Sequence, residues 1–233
     1  MVYPRNGITQ QHMPEMQLAC FGLSLAELKS LDGKVLDFGC GKDANLVSYL
    51  RSHGIAAEGI DPALQQEADH LMKKEVSEIS PLQGCIPRPD NTYQLIVSNM
   101  VNPLITAFSV SQEDNVAYCK ANSPPRFSTE IEQEMTDLTL RCTFAIMELT
   151  RVLAPTGRYI CFPSLSNLNN ACGGIIDQAG YTISREKTGM HMGGEELIKP
   201  IESLLGIDLE EVMKIVIEAA DYRTVIKPKP EQL

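Results

Sequence analysis

The stretch Val35-Leu36-Asp37-Phe38-Gly39-Cys40-Gly41-Lys42-Asp43-Ala44 reads as a short apolar strand that ends in a glycine turn and opens a helix. Asp32-Gly33 ahead of it is a turn, so the strand spans 34–38. From Ala44 to His53, Leu46, Val47 and Leu50 fall on one helical face, and Gly54 stands as the C-terminal stop. Ile55 to Asp61 is a second strand. Strand, turn, helix and strand in so short a span form a βαβ unit, whose strands lie parallel.

Glycines let the backbone approach a ligand closely, and the start of a helix presents N–H groups that lack helical partners. Asp61 closes the second strand, where a carboxylate can accept both hydroxyls of a ribose. Gly39-x-Gly41-x-x-Ala44 formally matches a dinucleotide fingerprint, so an NAD-dependent oxidoreductase is one reading. Asp37, two residues before the first glycine, separates that reading from another. A carboxylate there would crowd a pyrophosphate, and suits a phosphate-free ligand that carries a cationic amino group. A plainer role for Asp37 is to cap the next helix.

Four stretches, in order, resemble the class I S-adenosylmethionine-dependent methyltransferases. Leu36-Asp37-Phe38-Gly39-Cys40-Gly41 is similar to the family's first motif, and Gly59-Ile60-Asp61 to its second acidic position. Residues 89–98, Pro-Asp-Asn-Thr-Tyr-Gln-Leu-Ile-Val-Ser, resemble its fourth strand and lead-in. Glu148-Leu149-x-Arg151-Val152-Leu153-x-Pro155-x-Gly157-Arg158 resembles its lead into strand five. The resemblance implies a Rossmann-like three-layer α/β sandwich with a mostly parallel seven-stranded sheet whose last strand is antiparallel. It also implies S-adenosylmethionine as cofactor, held by Asp37, Gly39, Cys40, Gly41, Asp61, Pro62, Ser98 and Asn99. Asp37 and the glycine backbone would take the methionine part and Asp61 the ribose, while Ser98 and Asn99 would face the sulfonium and the substrate. There are departures. Asp43 stands where the family often has a third glycine, Thr156 where glycine is common, and Leu82 or Gln83 where an acidic residue usually meets the adenine. Asn99-Met100-Val101 is not the Asn-Pro-Pro-aromatic signature of amino methylation on bases.

Around this centre, residues 1–30 read as a polar start followed by a helical cover, in a single domain spanning 1–233. Leu64 to Lys74 is expected to be a helix and Tyr93 to Ser98 a strand. Ile131, Met135, Leu138, Cys142, Ile146, Leu149 and Leu153 recur at helical spacing, and Pro155-Thr156-Gly157 ends that helix before a strand over 158–162. Helices are expected near 167–178 and 195–220, with strands near 181–185 and 222–227. His191, in the glycine-rich run 189–194, is the candidate general base, with an exposed loop histidine as the plainer reading. Tyr3, Tyr118 and Arg126 could line a substrate pocket or simply pack.

Composition narrows the function. A net charge of -10 and no long basic cluster disfavour nucleic acid and favour a small-molecule or protein acceptor. Seven scattered cysteines, with no Cys-x-x-Cys pair, suit reduced thiols and give no metal site. No apolar run reaches membrane-spanning length and the first residues carry no apolar signal core, so the expected location is the cytoplasm. Two further readings stay open beside methyl transfer: a catalytically silent S-adenosylmethionine-binding module and the oxidoreductase above. Residues 102–129 follow the fourth strand, carry prolines and mix Leu104, Ile105 and Phe108 with polar residues, so they are expected to form a mobile lid over the acceptor, with a helical decoration packed away from the pocket as the plainer reading. Replacing 106–126 by a short Gly/Ser linker should leave calorimetric cofactor affinity intact and sharply reduce transfer to the native acceptor; full activity without the segment would remove the lid.

Overall fold

The computed structural model describes residues 13–74, 86–99, 146–162, 164, 176–178, 180–188 and 222–229. The expected lid at 102–129, His191, Tyr3, Tyr118, Arg126, Leu82, Gln83 and most of the helices expected at 131–153, 167–178 and 195–220 lie outside them.

Two short helices open the described chain. In α1 (Pro14–Phe21) a proline occupies the first turn, where its missing N–H costs nothing, and Gly22 ends the helix at φ 61°. In α2 (Leu25–Lys29) Ser24 and Glu27 form a reciprocal capping box. The βαβ unit follows as expected: β1 (Lys34–Phe38), α3 (Asn45–Ser52) and β2 (Ala57–Ile60). Next come β3 (Leu71–Met72), β4 (Tyr93–Asn99), a helical stretch at 146–152, β5 (Leu153–Phe162), β6 (Tyr181–Lys187) and β7 (Tyr222–Pro228).

The strands form one sheet in the order β3-β2-β1-β4-β5-β7-β6. The five from β3 to β5 run parallel, and β7 is antiparallel to both β5 and β6. This is a Rossmann-like α/β sheet. The order reverses at β1, with β2 on one side and β4 on the other, and such a reversal leaves a crevice at the carboxyl ends of the strands.

Alternation divides the core. Val35, Leu95, Val97, Ile160, Phe162 and Val225 face α1, α2 and α3, packing on Leu18, Phe21, Leu28, Leu46, Val47 and Leu50. Leu36, Phe38, Ile60, Ile96, Tyr159 and Ile226 face the other way, onto Ile146, Leu149 and Val152. Each buried face is worth roughly 25 cal/mol per Å² of apolar surface covered, and this fixes strand register, because a one-residue slip would turn each set toward the wrong layer.

The expected helix over Leu64–Lys74 is overturned. β2 needs acceptors along its outer edge, and the Gly59 N–H donates to the His70 carbonyl (2.8 Å) and the Asp61 N–H to that of Met72 (3.1 Å). Satisfying buried donors outweighs the helix propensity of the segment, and Leu71–Met72 becomes an edge strand.

The motif 148–158 holds the sheet together. Glu148 is fully buried; it accepts from the Ile86 N–H (3.0 Å) and pairs with Arg151 (2.5 Å). Arg151 also reaches Asp90 and the carbonyls of Ile86 and Arg88, locking the lead-in to β4. Gly157 lets β5 pass β4, since a Cβ there would stand 3.0 Å from the Gln94 carbonyl oxygen. Thr156, in place of the usual glycine, hydrogen-bonds Gln94. At the far edge Arg223 of β7 pairs with Glu186 of β6 and donates to the Phe21 carbonyl at the end of α1. Glu148→Ala would leave the Ile86 N–H without its acceptor and take one carboxylate from Arg151, which keeps Asp90, so chemical denaturation should show a loss of roughly 1–3 kcal/mol, the scale of leaving a buried donor unsatisfied.

Candidate functional site

The crevice beside β1 is built from the glycine turn and the ends of β1, β2 and β4. β1 presents Asp37 on the same face as Val35, and its register partner on β4 is Val97. By alternation Gly59 and Asp61 on the β2 side and Asn99 at the end of β4 share that face. Asp37 is buried, and no hydrogen bond to its carboxylate is present among the described residues.

The turn is fastened to the end of β2. Gly39 (φ 83°) and Cys40 donate their N–H groups to the Ile60 carbonyl at 2.8 and 3.2 Å. The Gly41 N–H donates to Asp61 Oδ2 at 2.8 Å, while Asp61 Oδ1 accepts from the Ala63 N–H at 2.7 Å. Asp61 thus closes an Asx turn through Pro62 and pins the glycine loop at the same time. Each carboxylate oxygen keeps a second lone pair. Three consecutive N–H groups of the turn are consumed internally, so the glycines contribute space rather than donors. At Gly41 (φ 72°) an added Cβ would meet nothing within 4 Å, which leaves an open cradle above the turn.

Asp43, where a third glycine was expected, needs no special backbone. The left-handed residue is Ala44 (φ 45°), which is buried at the start of α3. Its strain is held by the core that surrounds its methyl.

The other site residues divide. Cys40 directs its thiol beneath the turn toward β2, and burial, with Asp37 and Asp61 nearby, pushes that thiol well above its ordinary range. Ser98 lies on the opposite face from Asp37, fully buried, with Oγ 2.8 Å from the Tyr159 hydroxyl. Pro62 is exposed within the Asx turn.

Sequence reasoning missed Glu58. It stands on β2 with its side chain buried, one oxygen on Lys34 (2.7 Å) and the other on Arg88 (2.6 Å) and the Tyr93 hydroxyl (2.7 Å). Burial alone would raise its carboxyl, but these three partners hold it below the usual range. The signal was present: a carboxylate inside an apolar strand needs a cation.

Several comparisons bear on this geometry. Residues 12–102 match the family model of a methyltransferase domain. That segment contains β1 to β4 and the fastened turn. The match is consistent with the class I S-adenosylmethionine-dependent methyltransferases and supports S-adenosylmethionine as cofactor. No curated protein matches the sequence significantly. Among solved structures, a SAM-dependent methyltransferase from Archaeoglobus fulgidus aligns over 92% of this chain and 99% of its own, at 12% identity and TM-score 0.43. The geranyl diphosphate C-methyltransferase from Streptomyces coelicolor A3(2) aligns over 91% and 78%, at 14% identity and TM-score 0.42. No helix among the described residues is long and apolar enough to cross a membrane.

Burial raises the Asp37 carboxyl from 3.8 to about 7, and the charge of Asp61 adds to the effect. The sign follows: the native state favours protonated Asp37, so this group's contribution is fully present below the unfolded pKa and is lost as pH rises through about 7. Asparagine cannot ionise. The melting-temperature gain of Asp37→Asn over wild type should therefore be larger at pH 8 than at pH 5, by roughly 3–6 °C; equal gains would show that Asp37 is ionised without cost.

Proposed function

We propose that this protein binds S-adenosylmethionine at the carboxyl ends of β1, β2 and β4 and transfers its methyl group to a small-molecule or protein acceptor in the cytoplasm. The observation that carries the reading is the buried Asp37 carboxylate, without a hydrogen-bond partner among the described residues, beside the open cradle at Gly41. A buried carboxylate is tolerated where a cation arrives to pair with it, and the cofactor's ammonium is such a cation. Asp61 keeps lone pairs for a ribose diol while it holds the turn. Asn99, at the tip of β4 on the same face, is proposed to border the methyl-transfer position.

The cofactor supplies an already activated methyl on sulfonium, so the chain's own work is alignment and exclusion of water. A base is needed only for an acceptor that begins protonated, and His191 remains the candidate for that task. The oxidoreductase reading is disfavoured by the same geometry. A pyrophosphate needs free N–H groups in the glycine turn, and those of Gly39, Cys40 and Gly41 are already engaged. The silent binding module differs only in turnover and is separated by a transfer assay.

Calorimetry with S-adenosylmethionine, its demethylated product and NAD tests the reading: the first two should bind and NAD should not. Asp61→Ala should weaken binding by roughly 1.5–3 kcal/mol, the scale of a hydrogen bond to a charged group. Asp37→Asn should lose affinity for S-adenosylmethionine without gaining any for NAD. Tight NAD binding by the wild type would overturn the proposal.

A further inference from the structure

We propose that Gly59 is a positioning residue for the cofactor: its missing side chain sets how deeply the Cys40 corner of the glycine turn sits on β2, and through that whether the cofactor is held. This inference rests on the S-adenosylmethionine reading above.

Gly59 lies in the middle of β2, at a backbone angle that any residue adopts. What requires glycine is space. A Cβ built there would stand 2.8 Å from Cys40 Sγ, 3.1 Å from Cys40 Cβ and 2.9 Å from Val47 Cγ2. Two elements therefore lean on one hydrogen atom: the turn through Cys40 and α3 through Val47. The turn has no slack with which to absorb a push. Its N–H groups at 39, 40 and 41 are tied to Ile60 and Asp61, immediately after Gly59 in the chain. Lifting Cys40 strains these bonds together and shifts Gly41, whose open side faces the cradle. Asp61 feels the same push, because Gly41 is one of its two partners. The Cys40 thiol is thus a spacer, and its partial burial against β2 reports that the turn is seated.

The test is a mutant cycle on the full chain with three readouts: melting temperature, calorimetric affinity for S-adenosylmethionine, and maleimide labelling of Cys40 mapped by peptide mass spectrometry. Gly59→Ala should raise the cofactor Kd roughly tenfold, the scale of modest overpacking, and Cys40 should label faster because its thiol is driven out. Adding Cys40→Ala should recover most of the affinity. Adding Val47→Ala should recover melting temperature without recovering affinity. Wild-type affinity and labelling in Gly59→Ala would overturn the proposal, as would rescue of affinity by Val47→Ala alone. If Gly59→Ala does not fold, Gly59→Ala/Val47→Ala is measured against Val47→Ala with the same criteria. If the wild type binds no S-adenosylmethionine, the cofactor reading fails and labelling decides alone: unchanged Cys40 reactivity in Gly59→Ala would sink the seat as well.

Discussion

The carboxylate of Asp61 is the interaction on which the site depends. One oxygen holds the Gly41 N–H and the other the Ala63 N–H. Through the first the glycine turn is fixed to the end of β2; through the second the chain leaving β2 bends away, clearing the crevice. Its own backbone N–H donates to Met72 and so binds the edge strand β3. One residue thereby joins β3, β2 and the turn after β1. Any ligand that used Asp61 would inherit this rigidity, because most of the ordering entropy is spent before binding.

Asp37 stands in tension with that arrangement. Folding places a second carboxylate near Asp61 in a buried position, and the protein carries it at a cost in stability that an apolar residue would avoid. The rest of the fold offsets the cost with conventional means: buried apolar clusters on both sheet faces, the Glu148–Arg151 lock and the Glu58 network. Glu58 and Asp37 make an instructive pair. Both are buried carboxylates on adjacent strands, yet Glu58 is saturated by Lys34, Arg88 and Tyr93. The saturated one is structural, and the unsaturated one is where a ligand is expected.

The βαβ unit and β4 were legible because their signals are local: apolar runs, a glycine turn and a helical stripe; that the last strand runs antiparallel came from the family resemblance alone. Asp37, Asp61 and Asn99 were legible as residues sharing one edge. The segment 64–74 was not, because its helical composition says nothing of the unpaired donors on β2 that it must satisfy. The placement of Ser98 on the face opposite Asp37 has a similar cause. Its face depends on the pairing of Asp37 with Val97, and a strand's register against its neighbour is a long-range property. The Cys40–Gly59 contact spans the turn and the next strand, and only the folded geometry shows that the glycine of Gly59-Ile60-Asp61 answers to the cysteine of the first motif.

The Arg223 bond to the Phe21 carbonyl bears on how the protein is made. These residues are 202 positions apart. On a ribosome adding roughly 5–20 residues per second, α1 emerges roughly 10–40 s before the guanidinium that caps it. β5 likewise waits for β7 before both its edges are paired. The crevice strands β1, β2 and β4 can assemble early, but one edge of β5 stays open, and Val225 is missing from the layer beneath α1, until β7 has been synthesised. During that interval Leu18, Phe21 and Phe162 lack part of their burial, so a nascent chain paused there would be a natural client for a chaperone that binds exposed apolar segments.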